Sequence, residues 1–160
     1  MKLPIHALLA MLCFLFCTCT EKKEDKPDPE VVYFLVAETE ALHGDSYMLP
    51  LTKPDDIAQA RQLIINHESK IVTAEISTDP ADPYPVNMDL TGHHTWSWHV
   101  SKFLGFADMS IEILDGWPSY VEEHYDEWVA VTKGPNGKGR IGFWSYTVVR
   151  ELSEAEVMEK

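Results

Sequence analysis

Three histidines, His93, His94 and His99, lie close together in the chain, and acids follow at Asp108, Glu112 and Asp115. Imidazole nitrogen and carboxylate oxygen together suit zinc and similar divalent ions. Strong metal motifs keep a fixed spacing on one element, and these residues do not. A metal set of His99, Asp108 and Glu112 therefore needs a fold that brings the three together across a hairpin. The plainer reading pairs His99 with Asp108 or with backbone and leaves His93 and His94 exposed in a loop. His67-Glu68-Ser69-Lys70-Ile71 begins like the zinc-protease helix pattern but lacks its second histidine.

Other chemistries find less support. No cysteine follows Cys19, and there is neither a Gly-x-Ser-x-Gly elbow nor a phosphate-cradling glycine loop. Gly134, Gly137 and Gly139 sit beside a proline and lysines, as a simple turn would place them. Glu112 with Asp115 or Glu122 is the carboxylate pair that glycoside cleavage could use. Acids at a helix start more commonly face water or complement the helix dipole. No catalytic residue is assigned. The aromatic content points instead to binding. Trp96, Trp98 and Trp128 fall on apolar faces and belong to a core, whereas Trp117 and Tyr84 fall in turn or loop stretches, where aromatic rings often serve recognition. With His93, His94, His99 and Asp115 they form the candidate binding set for a protein or glycan.

These residues depend on the elements that carry them. Val31 to Ala37 is apolar on both faces and reads as a buried strand, with Gly44-Asp45 turning it into a partner over Ser46 to Leu51. Thr52-Lys53-Pro54-Asp55 predicts a helix start with Thr52 as cap, and Ile57, Ala60, Leu63 and Ile64 supply its apolar stripe. Lys70 to Thr78 alternates as a half-exposed strand, and the three prolines between Asp79 and Asn87 make a loop. Thr95 to Val100 and Ala107 to Leu114 read as a hairpin closing at Phe103-Leu104, which sets His99 opposite Asp108. The next turn, at Asp115 to Ser119, leads into a second helix with Val121, Tyr125 and Trp128 inward. Val129 to Thr132, a glycine-rich turn and Arg140 to Arg150 predict a closing strand or hairpin, and the end from Glu151 reads as frayed.

Composition bounds the rest. The chain has 160 residues, 45% of them hydrophobic, enough for one core. Its formal charge is −13, and since Lys2 is the only charge in the first twenty residues, the remainder carries −14 (−13 minus the +1 of Lys2). So acidic a surface disfavours nucleic acid and anionic headgroups. Leu3 to Phe16 is a short apolar run, followed by Cys17-Thr18-Cys19. It matches a lipoprotein-type signal over residues 1–19, with Cys19, preceded by a small residue, as the lipidated position and Cys17 as the alternative. The charged, proline-containing stretch at 20–30 reads as a tether, 31–152 as the globular domain and 153–160 as an acidic tail. The expected place is extracytoplasmic, anchored in a bacterial membrane through lipid or else secreted. No cysteine is left for a disulfide, so the core alone must hold the domain.

Several segments together resemble the BP-seventy-four amino-terminal domain, a family of small secreted proteins often labelled calmodulin-binding. They are YFLV at Tyr33 to Val36, LTKPDDIAQAR at Leu51 to Arg61, and WSWHV at Trp96 to Val100. The others are IEILDGWPSYVEEH at Ile111 to His124 and WSYTVVRE at Trp144 to Glu151. Family members commonly carry cysteines at the positions of Leu114 and Gly142, and both are absent here. Calmodulin is itself acidic, so charge opposes that partner. The expectation is an α+β domain: a mainly antiparallel sheet of about six strands with two helices, acting as a non-catalytic binding module with no required cofactor. The alternative is a divalent-metal or metal-dependent hydrolytic site.

Overall fold

The computed structural model describes residues 30–39, 43–109 and 116–158. The signal segment with Cys17 and Cys19, nearly all of the tether, Glu112 and Asp115 lie outside them. Within the described residues run β1 (Val32–Glu38), β2 (Ser46–Leu51), α1 (Pro54–Asn66), β3 (Ile71–Ser77), β4 (Met88–Asp89) and β5 (His94–Thr95). Then follow β6 (His99–Ala107), α2 (Pro118–Glu123), α3 (Tyr125–Thr132), β7 (Gly139–Ile141), β8 (Tyr146–Glu151) and α4 (Glu154–Met158). The α+β class holds. In place of one six-stranded sheet there are two three-stranded antiparallel sheets, ordered β2-β1-β8 and β6-β3-β7, and a β4-β5 ribbon.

The apolar run of β1 is buried on both faces, which explains why it does not alternate with polar residues. Phe34 and Val36 enter the main core, while Leu35 turns the other way, into a smaller cluster with Met48 and Leu152. Gly44, with φ of +78°, takes a left-handed conformation that side chains disfavour, and the chain returns with Ser46 opposite Ala37. In α1, Ile57, Ala60 and Leu63 are buried as the helical spacing requires. Its cap is Lys53, in extended geometry, rather than Thr52, and the lysine side chain accepts no cap hydrogen bond from the helix N–H groups. Val72, Ala74 and Ile76 of β3 meet α1 and the β1–β2 residues in one core.

Three expectations change. First, no hairpin closes at Phe103-Leu104: both lie inside β6, which pairs along its length with β3, Ser77 opposite His99 and Ile71 opposite Ala107. The run His99–Ala107 has no turn residue strong enough to break a strand, and Gly105 sits where the pairing with β3 slips, at a bulge. Second, β3 is not half-exposed. It is the middle strand, and its polar side chains Glu75 and Ser77 are buried. Third, Val129–Thr132 is helical, and β7 and β8 belong to different sheets rather than to one hairpin.

The second predicted helix is split at His124, whose φ of −129° leaves helical geometry. The break lets Val121 and Trp128 both face the core while Tyr125 reaches Thr78. At the end of the chain, Ser153 makes its N–H and hydroxyl bonds to Glu156 at 3.0 and 2.8 Å, and Arg150 pairs with the same carboxylate group. These bonds order α4 over residues expected to fray. Trp96 and Trp98 do point inward. Trp98 is fully buried beside Tyr47, and the Trp96 indole N–H donates to the Ser46 carbonyl at 2.8 Å.

Candidate functional site

The predicted site residues that are described do not come together. His99 and Asp108 stand at opposite ends of β6, roughly 30 Å apart at about 3.3 Å per residue. Asp108 pairs with Lys70 instead. His99 is itself 3% exposed, so the polar face expected beside the inward tryptophans is not a surface at all. Its Nε2 lies 3.0 Å from the Asp82 carboxylate, which also accepts from Lys138 at 3.0 Å. Among the described residues, no group of three or more metal-binding side chains converges. His93 is exposed in a turn with φ of +56°. His94 sits edge-on against Trp96, its Nδ1 3.7 Å from Asp89. Tyr84 lines a small separate groove of about 110 Å³ with Lys53, Asp56 and Lys102. Among the described residues of the predicted binding set, only Trp117 lines the cleft beside Trp144.

That cleft, of about 360 Å³, is lined by Glu38, His43, Gly116, Trp117, Trp144, Ser145 and Tyr146. Each wall has a local cause. Trp117 precedes Pro118, the first residue of α2, so its extended backbone sets the ring across the helix start. The His43 ring stacks on it face to face, with centroids 4.0 Å apart and planes within 5°. A side chain at Gly116 would meet the Trp128 ring at 2.7 Å, so glycine permits the close approach that seats this turn on α3. Trp144 lies at the corner where the chain leaves one sheet after β7 and enters the other at β8, and it remains 47% exposed. From Trp117 the rings continue outward: Tyr120 at 5.3 Å, then His124 a further 4.6 Å on.

Glu38 lies in the lining, Asp45 lies outside it bonded to Tyr146, and both carboxylates are tightly bonded. The Tyr146 hydroxyl donates to buried Asp45, and the other Asp45 oxygen accepts the Ser119 N–H at 2.9 Å. Asp45 thus ties β8 to the first turn of α2. Glu38 accepts the N–H groups of His43 and Gly44 at 2.8 and 3.2 Å, fixing the strand end beneath the His43 ring. Burial, the hydrogen bond to Asp45, and the charges of Asp45 and Glu38 all push the Tyr146 phenol far above its ordinary pKa. It therefore stays protonated, a donor already committed to Asp45.

Two polar clusters elsewhere hold the frame. Asn87 accepts from the Met48 N–H at 2.8 Å and donates to the Trp98 carbonyl at 2.9 Å, and Asp89 accepts from the Ser46 N–H and hydroxyl. These side chains take the bonds that a neighbouring strand would offer the edge of β2. Glu75, buried in β3, accepts from Asn136 at 2.8 Å with Arg140 4.0 Å away.

Sequence reasoning missed His43, Glu38, Asp45 and the exposure of Trp144. The signal available was Trp144 itself, an indole followed by a serine between two strand-like runs. The partners come from β1, the β1–β2 turn and β8, and no local pattern links them. No curated protein and no solved structure matches the chain. A family model, that of the BP-seventy-four N-terminal domain, matches residues 30–155. That span takes in every wall of the cleft and most of the chain, and the protein belongs to the BP-seventy-four N-terminal domain family.

Proposed function

We propose that this chain is a non-catalytic binding module, carried outside the cytoplasm on a lipid at Cys19, that takes a group of a protein or glycan between Trp117 and Trp144. The observation that carries this reading is the half-exposed Trp144 beside the stacked His43–Trp117 pair above a cleft. An indole left 47% exposed in a protein that buries Trp98 entirely costs apolar hydration unless a ligand covers it. The charged tether and the apolar segment before it support an anchored location.

Binding of the purified domain to sedimented peptidoglycan, to other insoluble polysaccharides and to immobilised basic and acidic proteins tests the proposal. Trp144→Ala is expected to weaken whichever interaction is found about tenfold, the loss of an aromatic contact worth about 1.4 kcal/mol, with the melting temperature nearly unchanged. Trp117→Ala is expected to weaken it too and to lower the melting temperature, because Trp117 also packs against the core. Unaltered binding in both variants would remove the cleft as the site. Cys19→Ala is expected to abolish incorporation of labelled palmitate; retained label that disappears in Cys17→Ala would move the anchor to Cys17.

A further inference from the structure

Resting on that reading, we infer that the group entering the cleft is an uncharged pyranose ring of a glycan, laid flat on Trp144. The platform is the indole itself. Trp144 is 47% exposed and stacks on no ring of the described residues, whereas Trp117 is already stacked by His43 and met by Tyr120. A pyranose is a rigid ring with apolar C–H faces and a rim of hydroxyls, so it covers an indole face at little conformational cost. The polar groups beside the platform match that rim. Among the described residues nothing bonds to the indole N–H groups of Trp117 and Trp144 or to the Ser145 hydroxyl. Ser145 is engaged through its carbonyl, which accepts from the Thr39 N–H at 2.7 Å and the Thr39 hydroxyl at 3.2 Å. The two indoles can only donate, and the serine can do either. Sugar oxygens accept from the first and exchange bonds with the second.

Charge selects against ionised groups of either sign. None of the described lysines or arginines lines the cleft, so an anion finds no counter-charge there, and a formal charge of −13 repels it from a distance. The carboxylate in the described lining, Glu38, is already bonded by the His43 and Gly44 N–H groups, so it is not set out for a cation. An extended peptide fits poorly for another reason. Its amides need backbone partners, as strand addition supplies them. At this corner the Thr39 N–H and Ser145 carbonyl are bonded to each other, and the Tyr146 N–H donates to the Phe143 carbonyl at 3.3 Å. Side-chain groups are what the cleft offers. Its volume of about 360 Å³ falls near the lower end of the range of roughly 300–1,000 Å³ for small-molecule sites, which suits one or two sugar rings.

Titrations followed by tryptophan emission test the inference, with cellotriose, N,N′,N″-triacetylchitotriose and mannotriose as neutral probes. The C6-carboxylated form of whichever sugar binds serves as the anionic arm and Nα-acetyl-lysine methylamide as the cationic, peptide-like arm. At least one neutral trisaccharide is expected to bind, and its carboxylated form and the lysine probe to bind at least about tenfold more weakly, since each buries a charge without a partner. The C–H protons of the bound ring should shift upfield in the ring current of Trp144. Ser145→Ala should weaken the sugar about threefold to tenfold, the loss of one hydrogen bond. Trp144→Phe should retain binding and Trp144→Leu should lose it, with circular dichroism showing both variants folded, since only the former keeps a flat ring on this exposed corner. Equal binding of the neutral and carboxylated sugars overturns the uncharged ligand. Sugar binding that Trp144→Leu leaves intact places the sugar elsewhere and overturns the site. Failure of all the neutral trisaccharides to bind overturns the sugar, and Trp144-dependent binding of the lysine probe or of an immobilised partner would then leave the cleft a binding site. If no probe alters the emission and neither Trp144 variant affects binding to any sedimented or immobilised partner, the cleft reading falls as well.

Discussion

Asp82 shows how far a single side chain can be repurposed by its neighbours. Burial raises its carboxyl pKa, but hydrogen bonds from Ser77, Lys138 and His99 and the Lys138 charge outweigh that and hold it down to about 2. The ordinary value is 3.8. Because the folded pKa lies below the unfolded one, this carboxylate stabilises the fold fully above about pH 4. That contribution is lost as pH falls from there through about 2. It amounts to at most about 2 kcal/mol at neutral pH. Asp82→Asn is expected to lower the melting temperature at pH 7 and to flatten the loss of stability between pH 4 and 2, measured by thermal denaturation across that range. An unchanged acid slope would show that other carboxylates set it. His99 was legible as a residue wanting a carboxylate. The identity of that carboxylate was not, because Asp82 sits in a proline-bounded loop whose path the local sequence leaves open. Trp117 and Tyr84 carry the same signal, an aromatic residue beside turn-formers, and only the fold shows that one borders the cleft with Trp144 and the other a separate groove.

At the scale of elements, hydrophobic periodicity located β1, β2 and α1 well, since each carries a pattern matched to its burial environment. It failed for β6, since Trp96 and Trp98 lead into the strand with the correct alternation but nothing marks it as continuing past Phe103. It failed again for β3, whose alternating polar residues look solvent-facing yet meet Asn136 and Arg140 from another part of the chain. The ends of α1 are both suboptimal. Lys53 caps the start without a side-chain bond, and His67 closes it in the left-handed region with φ of 56°. Lys53→Ser, which offers a hydroxyl to the free N–H groups, is expected to stabilise the domain by about 1 kcal/mol. His67→Gly, which relieves the left-handed residue, is expected to add about 0.5–1 kcal/mol. Chemical denaturation of the two single variants and the double checks both, and the gains should add because the sites lie at opposite ends of the helix. A loss in His67→Gly would mean that the imidazole makes a contact outweighing the backbone gain.

For the molecule as a whole, composition foretold the most general property and the least specific one. A formal charge of −13 on the whole chain, with no cysteine after Cys19, implies self-repulsion that salt relieves. Raising sodium chloride from about 10 to 200 mM shortens the screening length from about 30 Å to below 10 Å. The melting temperature is expected to rise over that range. A melting temperature that falls with salt would mean that the specific ion pairs, such as Arg61–Glu151 at 2.7 Å, outweigh the general repulsion. The placement of β1 carries a further consequence. It is the first strand among the described residues, and it is held on both sides, by β2 and by β8. A pull on the chain ahead of residue 30 therefore runs along the axis of β1 and loads both ladders in shear at once, so a protein anchored from that end would resist stretching until the two ladders rupture together.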